Sequence, residues 1–180
     1  LEEAIATVDA DAVLITTPVG SHVPLGLAAL AAGKHVISEK PIAPTVVAGR
    51  DLLVAYAAHQ DRVWMVAENY RYEDPFVKAA ALIAAGRIGR PLLADWAIHV
   101  PFLPDNKYYQ TVWRRNEAFP GGMLLDGGVH HVAGWRLVLG EIAAVNAIGA
   151  QQRADLPPLD TLSANFHFAS GTIGSYSVTY

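Results

Sequence analysis

The chain contains no cysteine among its 180 residues, which excludes disulfides and thiolate-bound metals. That absence, with no visible signal peptide, fits a reducing compartment, and a cytoplasmic location is expected. Charge is also scarce: 17% of residues are Asp, Glu, Lys or Arg, and the net charge is −4. The pI lies near 5.9 and no Lys/Arg cluster stands out, which argues against a nucleic-acid partner. No apolar run approaches the roughly 18 residues of a membrane span, so no membrane partner is expected.

What is abundant is apolar surface. Residues of the hydrophobic class make up 52% of the chain, so it is expected to fold around one good core or two modest ones. Helical spacing covers Leu1 to Val8. A continuous apolar run, 12–16, then reads as a strand covered on both faces. Ser21 or His22 caps a predicted helix to Ala32, with Gly33 as its stop. A strand at 35–38, a helix from Pro44-Thr45 to about His59 and a strand at 63–67 complete strand–helix–strand–helix–strand with short connections. That is the grammar of a doubly wound α/β fold. Past Arg71 the grammar changes. A helix from Asp74 toward Gly86 and a strand from Leu92 to Val100 precede a proline-marked loop, and a helix from about Asp126 ends at Leu139. Segments 142–152, 160–169 and 172–180 alternate as antiparallel strands do, with Ser170-Gly171 as a tight turn. The fold class expected is therefore α/β: part of a doubly wound parallel sheet over 1–70, then an α+β domain with an open, mostly antiparallel sheet over 71–180.

Two places carry candidate chemistry. Glu39-Lys40-Pro41 closes the strand 35–38 at its carboxyl end, where open α/β sheets bind ligands. Asp126 and His130 are four apart on a predicted helix and so share a face. Histidine titrates near neutrality and can take or return a hydroxyl proton. The bland alternatives are a solvated Glu-Lys turn, a helix-start aspartate and a packing histidine. A metal hydrolase built on Asp126, His130 and His131 is disfavoured, because adjacent helical side chains point about 100° apart. No metal is expected.

The stretches Asp11-Ala12-Val13-Leu14-Ile15-Thr16-Thr17-Pro18 and Gly33-Lys34-His35-Val36-Ile37-Ser38-Glu39-Lys40-Pro41 resemble the Gfo/Idh/MocA oxidoreductases. The resemblance continues through Asn69-Tyr70-Arg71-Tyr72, Gly86-Arg87-Ile88-Gly89-Arg90-Pro91, Trp113-Arg114 and Gly121-Gly122-Met123-Leu124-Leu125-Asp126-Gly127-Gly128-Val129-His130. It implies a Rossmann domain, a domain with a large sheet that often mediates homo-oligomers, and hydride transfer between nicotinamide and a hydroxyl-bearing carbon of a small molecule such as a sugar or polyol. By that resemblance Lys40, Asp126 and His130 are catalytic. Thr16, Thr17, Pro18, His22, Glu39, Lys40, Pro41, Asn69 and Trp113 line the cofactor, NAD or NADP, with the balance leaning to NADP.

The chain departs from the family in two respects. The Gly-x-Gly-x-x-Gly turn, whose backbone amides hold a pyrophosphate, is not among these residues. The chain also begins at Leu1 in mid-pattern, so it is expected to be a fragment that is inactive alone and incomplete at its carboxyl end. Many members place an aspartate three residues after the histidine, whereas Ala133 stands there here, closer to a subgroup that includes fungal members. The alternative function is a member without catalysis that senses nucleotide or binds a partner.

Overall fold

The structure is a computed structural model describing residues 1–116 and 119–180. It divides into two compact units, Leu1–Glu68 and Asn69–Tyr180.

In the first unit the order is α1 (Glu2–Thr7), β1 (Ala12–Ile15), α2 (His22–Ala31), β2 (His35–Ser38), α3 (Val46–Tyr56) and β3 (Trp64–Val66). The strands form one parallel sheet in the order β1-β2-β3, with Val13 opposite Val36 and Val36 opposite Trp64. Helix α2 stops where expected: Gly33 takes φ +74°, and Lys34 N–H reaches back to the carbonyl of Ala29 at 2.9 Å. Helix α3 opens on Thr45, whose hydroxyl accepts the N–H of Ala48 at 3.1 Å. Lys34 is nearly buried, and its ammonium donates to the carbonyls of Val8 and Ala10, both at 2.9 Å, tying the end of α1 to the start of β1.

The strands pair in parallel, as their unbroken apolar runs led one to expect. Ile15 and Val36 pack on Ala29 and Leu30 of α2, but the alternate residues Leu14, Ile37 and Met65 are 64%, 37% and 40% exposed. Helix α2 lies on β1 and β2, while α1 and α3 pack on α2, so the described elements cover one face of the sheet. An unbroken apolar run marks a strand built for two covered faces; here only one of them is covered.

The second unit comprises α4 (Asp74–Ala84), β4 (Leu93–His99), α5 (Gly122–Leu139), β5 (Ile142–Ala150), β6 (Thr161–Phe168) and β7 (Ile173–Thr179). The sheet order is β4-β7-β6-β5; β5, β6 and β7 run antiparallel, and β4 pairs parallel with β7. Alternation along β6 and β7 turns Ala164, Phe166, Phe168, Tyr176 and Val178 to one face, where Leu124 and Trp135 of α5 complete the core. Aromatic rings bury more apolar area than any other side chains, so Trp135 against Phe166 (5.2 Å between centroids) and Phe168 (5.6 Å) anchors α5 to the sheet.

Helix α5 begins four residues before the predicted start. Glycine weighs against helix, which placed the Gly121-Gly122 pair outside it. In the structure Gly121 at φ +77° turns the chain and its carbonyl already accepts Leu125 N–H at 3.0 Å. A Cβ on Gly122 would stand 2.6 Å from the carbonyl oxygen of Pro157, so only glycine lets the loop before β6 close on the helix start.

That loop is held by Asp160, which is fully buried. Its carboxylate accepts the N–H groups of Gln152 (3.0 Å) and Arg153 (2.6 Å) and the hydroxyl of Thr161 (2.7 Å). Asp160→Ala strands those buried donors and is expected to cost roughly 2–4 kcal/mol in urea unfolding. A loss below about 1 kcal/mol would mean the loop holds its course without the carboxylate.

Candidate functional site

Parallel pairing brings the carboxyl ends of the three strands of the first unit to one edge of the sheet. Glu39 N–H donates to the carbonyl of Ile15 (2.9 Å) and Ala67 N–H to that of Ser38 (2.8 Å), so the tips lie in step. Beyond β1, the loop 16–21 is closed by the hydroxyls of Thr17 and Ser21, 2.6 Å apart, and by Ser21, whose hydroxyl donates to the carbonyl of Pro18 at 2.8 Å. Thr16 and Pro18 are exposed; Glu39 and Lys40 are half-buried, Pro41 is buried, and the Lys40–Pro41 peptide is cis.

His22 connects these tips. It is 1% exposed, with Nε2 at 2.7 Å from the carbonyl oxygen of Thr17 and Nδ1 at 2.9 Å from that of Pro41. Both ring nitrogens are thus engaged with backbone of two different tips. The resemblance implied that His22 lines the cofactor; the structure places it beneath the loop, as the link between Thr17 and Pro41.

In the second unit, α5 carries Asp126 and His130 one turn apart. Asp126 is 6% exposed, and its Oδ2 accepts from Nε of Arg114 at 2.8 Å. His130 stacks on Tyr70 at 5.0 Å between centroids, and Tyr70 stacks on Phe76 at 5.1 Å. The next residue, His131, belongs to the core side of the helix: it is buried, with Nδ1 at 2.7 Å from the hydroxyl of Tyr176. Adjacent imidazoles therefore serve different neighbourhoods. Trp113 packs edge-on against Phe119 at 5.0 Å and presents its face to the Arg114 guanidinium at 4.2 Å. Asn69 is exposed, its amide donating to Glu73 at 2.6 Å.

Sequence reasoning assigned no role to Arg114, Tyr70 or Tyr180. Arg114 and Tyr70 lie inside stretches quoted for the resemblance but carry no spacing signal toward Asp126 or His130. Tyr180 did carry one, because the alternation Gly174, Tyr176, Val178 extends to it and points it toward α5. A methyl group on Gly127 would overlap the Tyr180 hydroxyl, so helix and phenol meet there. Burial, reinforced by the charge of Asp126, pushes the Tyr180 phenol up to about 12.

Both units match known protein families. A family model described as oxidoreductase family, NAD-binding Rossmann fold, matches residues 1–67, and one for the GFO/IDH/MocA C-terminal domain matches residues 76–180. The chain belongs to the Gfo/Idh/MocA oxidoreductase family. Among Gfo/Idh/MocA proteins, the 1,5-anhydro-D-fructose reductase of Ensifer adhaerens is 34% identical over 98% of this chain and 52% of its own. The crystal structure of an oxidoreductase from Thermotoga maritima is similar with a TM-score of 0.93 at 39% identity, over 99% of this chain and 55% of that one. The WlbA dehydrogenase of Bordetella pertussis, in complex with NADH and UDP-GlcNAcA, has a TM-score of 0.87 at 26% identity, over 98% of this chain and 55% of that one. The chain thus spans about half the length of these relatives. No helix among the described residues is long and apolar enough to cross a membrane.

The buried phenols make the second unit sensitive to alkali. Tyr176 is raised by burial, as is Tyr180, whose proton would leave near 10 in an unfolded chain. Their stabilising contribution is full below pH 10 and is lost as pH climbs toward about 12, because the unfolded state releases these protons first. Unfolding free energy measured across that range should fall, and Tyr180→Phe should flatten the fall. An unchanged slope in that variant would refute the assignment.

Proposed function

We propose that the protein carrying this chain is an NAD(P)-dependent oxidoreductase acting on a CH–OH carbon of a small molecule, a sugar or polyol being the favoured class. The observation that carries this reading is the Asp126–His130 pair on one turn of α5, with the carboxylate held by Arg114 and the imidazole against Tyr70. The named substrates and nucleotide of the relatives support it.

The residues present fit the nicotinamide end of such a cofactor. The aligned strand tips and the loop that His22 ties to Pro41 form the kind of crevice where doubly wound sheets take nucleotides. We assign the cofactor side to Thr16, Thr17, Pro18, Glu39, Lys40, Pro41, Asn69 and Trp113, with His22 acting through the backbone it holds. The glycine-rich turn and the acidic or basic residue after it that select between NAD and NADP do not stand in these 180 residues. The bound nicotinamide supplies the hydride acceptor.

The chain's own residues handle the proton and the charge. As the C–H electron pair departs as hydride, His130 removes the hydroxyl proton, so a carbonyl forms without an intervening free alkoxide. The Lys40 ammonium offsets negative charge developing on that oxygen. Asp126 accepts from the substrate hydroxyl or the imidazole and fixes their alignment, which counts because small misplacements cost large rate factors. In the reducing direction His130 returns the proton. We place the protein in the cytoplasm and infer homo-oligomers through the β4–β7 sheet, whose strand β5 exposes Val145 and Ile148.

In the native protein, Lys40→Met and His130→Ala should each lower turnover by about 10²–10⁴. Steady-state rates with a panel of polyols and sugars test this. Near-wild-type turnover in both variants would sink the site assignment.

A further inference from the structure

The ion pair between Arg114 and Asp126 is built more carefully than a surface bridge. The two side chains are 15% and 9% exposed, and Nε lies 2.8 Å from Oδ2. The guanidinium is fixed at further points. Its Nη1 donates to the Thr111 hydroxyl at 2.8 Å, and its plane sits over Trp113 at 4.2 Å and beside Tyr108 at 5.1 Å. Arg114 stands in a short 3₁₀ turn, Val112–Arg115, separate from α5. An arginine held in this way cannot follow Asp126 if the carboxylate rotates, so the carboxylate is aimed by a scaffold outside its own helix.

We propose that Arg114 is a positioning residue for the reaction, acting through Asp126: it fixes the direction and the charge of the carboxylate that aligns substrate and His130. The inference rests on the oxidoreductase reading above and extends it. A cation at this place also sets the field in which the base works. Other titratable or charged groups near the pair include Tyr180 just after β7, Tyr70 from the turn at 69–71, Tyr108 before the 3₁₀ turn with Lys107 over its ring at 4.8 Å, Arg115 next to Arg114, and His131 with its partner Tyr176. The Arg115 guanidinium is turned instead to the Tyr109 carbonyl, to which its Nε donates at 2.7 Å. Removing the Arg114 charge favours the protonated form of nearby groups, so the acid limb of alcohol oxidation moves to higher pH.

The test is a double-mutant cycle in the native protein, with Arg114→Met, Asp126→Asn, both together, and Arg114→Lys. Calorimetric melting identifies folded variants, and protein-fluorescence titration gives nucleotide affinity. Arg114→Met is expected to lower kcat by about 10–100-fold, to raise the acid limb of the kcat/KM profile, and to leave nucleotide affinity within about twofold. Arg114→Lys keeps the charge and should hold the limb in place while recovering part of kcat. The double variant should be no slower than Asp126→Asn alone, because the arginine acts through the carboxylate.

Additive losses, or a loss confined to nucleotide affinity, would overturn the proposal and leave the enzyme reading intact. So would a fall in kcat with the limb unmoved, which is the mark of a merely structural staple. Full activity in both Asp126→Asn and His130→Ala would instead sink the Asp126–His130 assignment, and this proposal with it, whereas no alcohol oxidation by the unaltered protein would bring down the enzyme reading.

Discussion

Helix α5 can pack against both its sheet and α4 only because glycine stands where aromatic rings press. A Cβ on Gly134 would sit 2.8 Å from the ring of Phe76, and one on Gly174 would sit 2.5 Å from Trp135. Close-packed interiors tolerate no such overlap, and an added methyl forces shifts that cost about 1–3 kcal/mol. The depth to which Trp135 sinks between Phe166, Phe168 and Tyr176 fixes the height of the helix over the strands. Its rotation is fixed further along, where His131 reaches the Tyr176 hydroxyl. Asp126 and His130 inherit their places from these contacts. The geometry of the candidate site is thus decided by packing in the core.

The first unit solves a different problem with a smaller device. Loops beyond strand tips are free to move unless something links them, and here one imidazole does so. His22 joins the backbone of Thr17 to that of Pro41 through a ring that solvent hardly reaches. Buried polar contacts of this kind are hard to exchange for water, because a lost partner leaves a carbonyl unsatisfied. The loop after β1 and the Glu39-Lys40-Pro41 tip are therefore expected to move as one piece.

Much of this was legible in the residues. Short β-branched and apolar runs separated by amphipathic segments located β1, α2, β2, α3 and β3, and Gly33 marked its stop correctly. The alternation 160–169 and 172–180 gave the hairpin and its inward face. Asp126 and His130 were visible because helical spacing is local. Arg114 was not: its tie to Asp126 spans twelve residues and a change of direction at Gly121, and no periodicity records such a contact. The helix start at Gly122 was missed for a related reason, since local propensity spoke against it and a tertiary contact with Pro157 decided it. The uncovered face at Leu14, Ile37 and Met65 was likewise beyond reach, because an apolar run states what a strand can bury and says nothing of which neighbours are present.

The neighbouring imidazoles of α5 make the helix's angular setting a functional quantity. Advancing the helix by one residue, about 100°, would carry His130 toward the Tyr176 side and bring Val129 to face Tyr70. A residue inserted before Gly121 could be absorbed by the loop, leaving both rings where they are. The same insertion between Gly122 and Asp126 would have to be taken up by the helix itself, turning both histidines away from their present neighbours while every side chain of the proposed site was still in the chain. Chain length at this point is thus as exacting a requirement as residue identity, and a homologue with an altered spacing here would need another residue in the role proposed for His130.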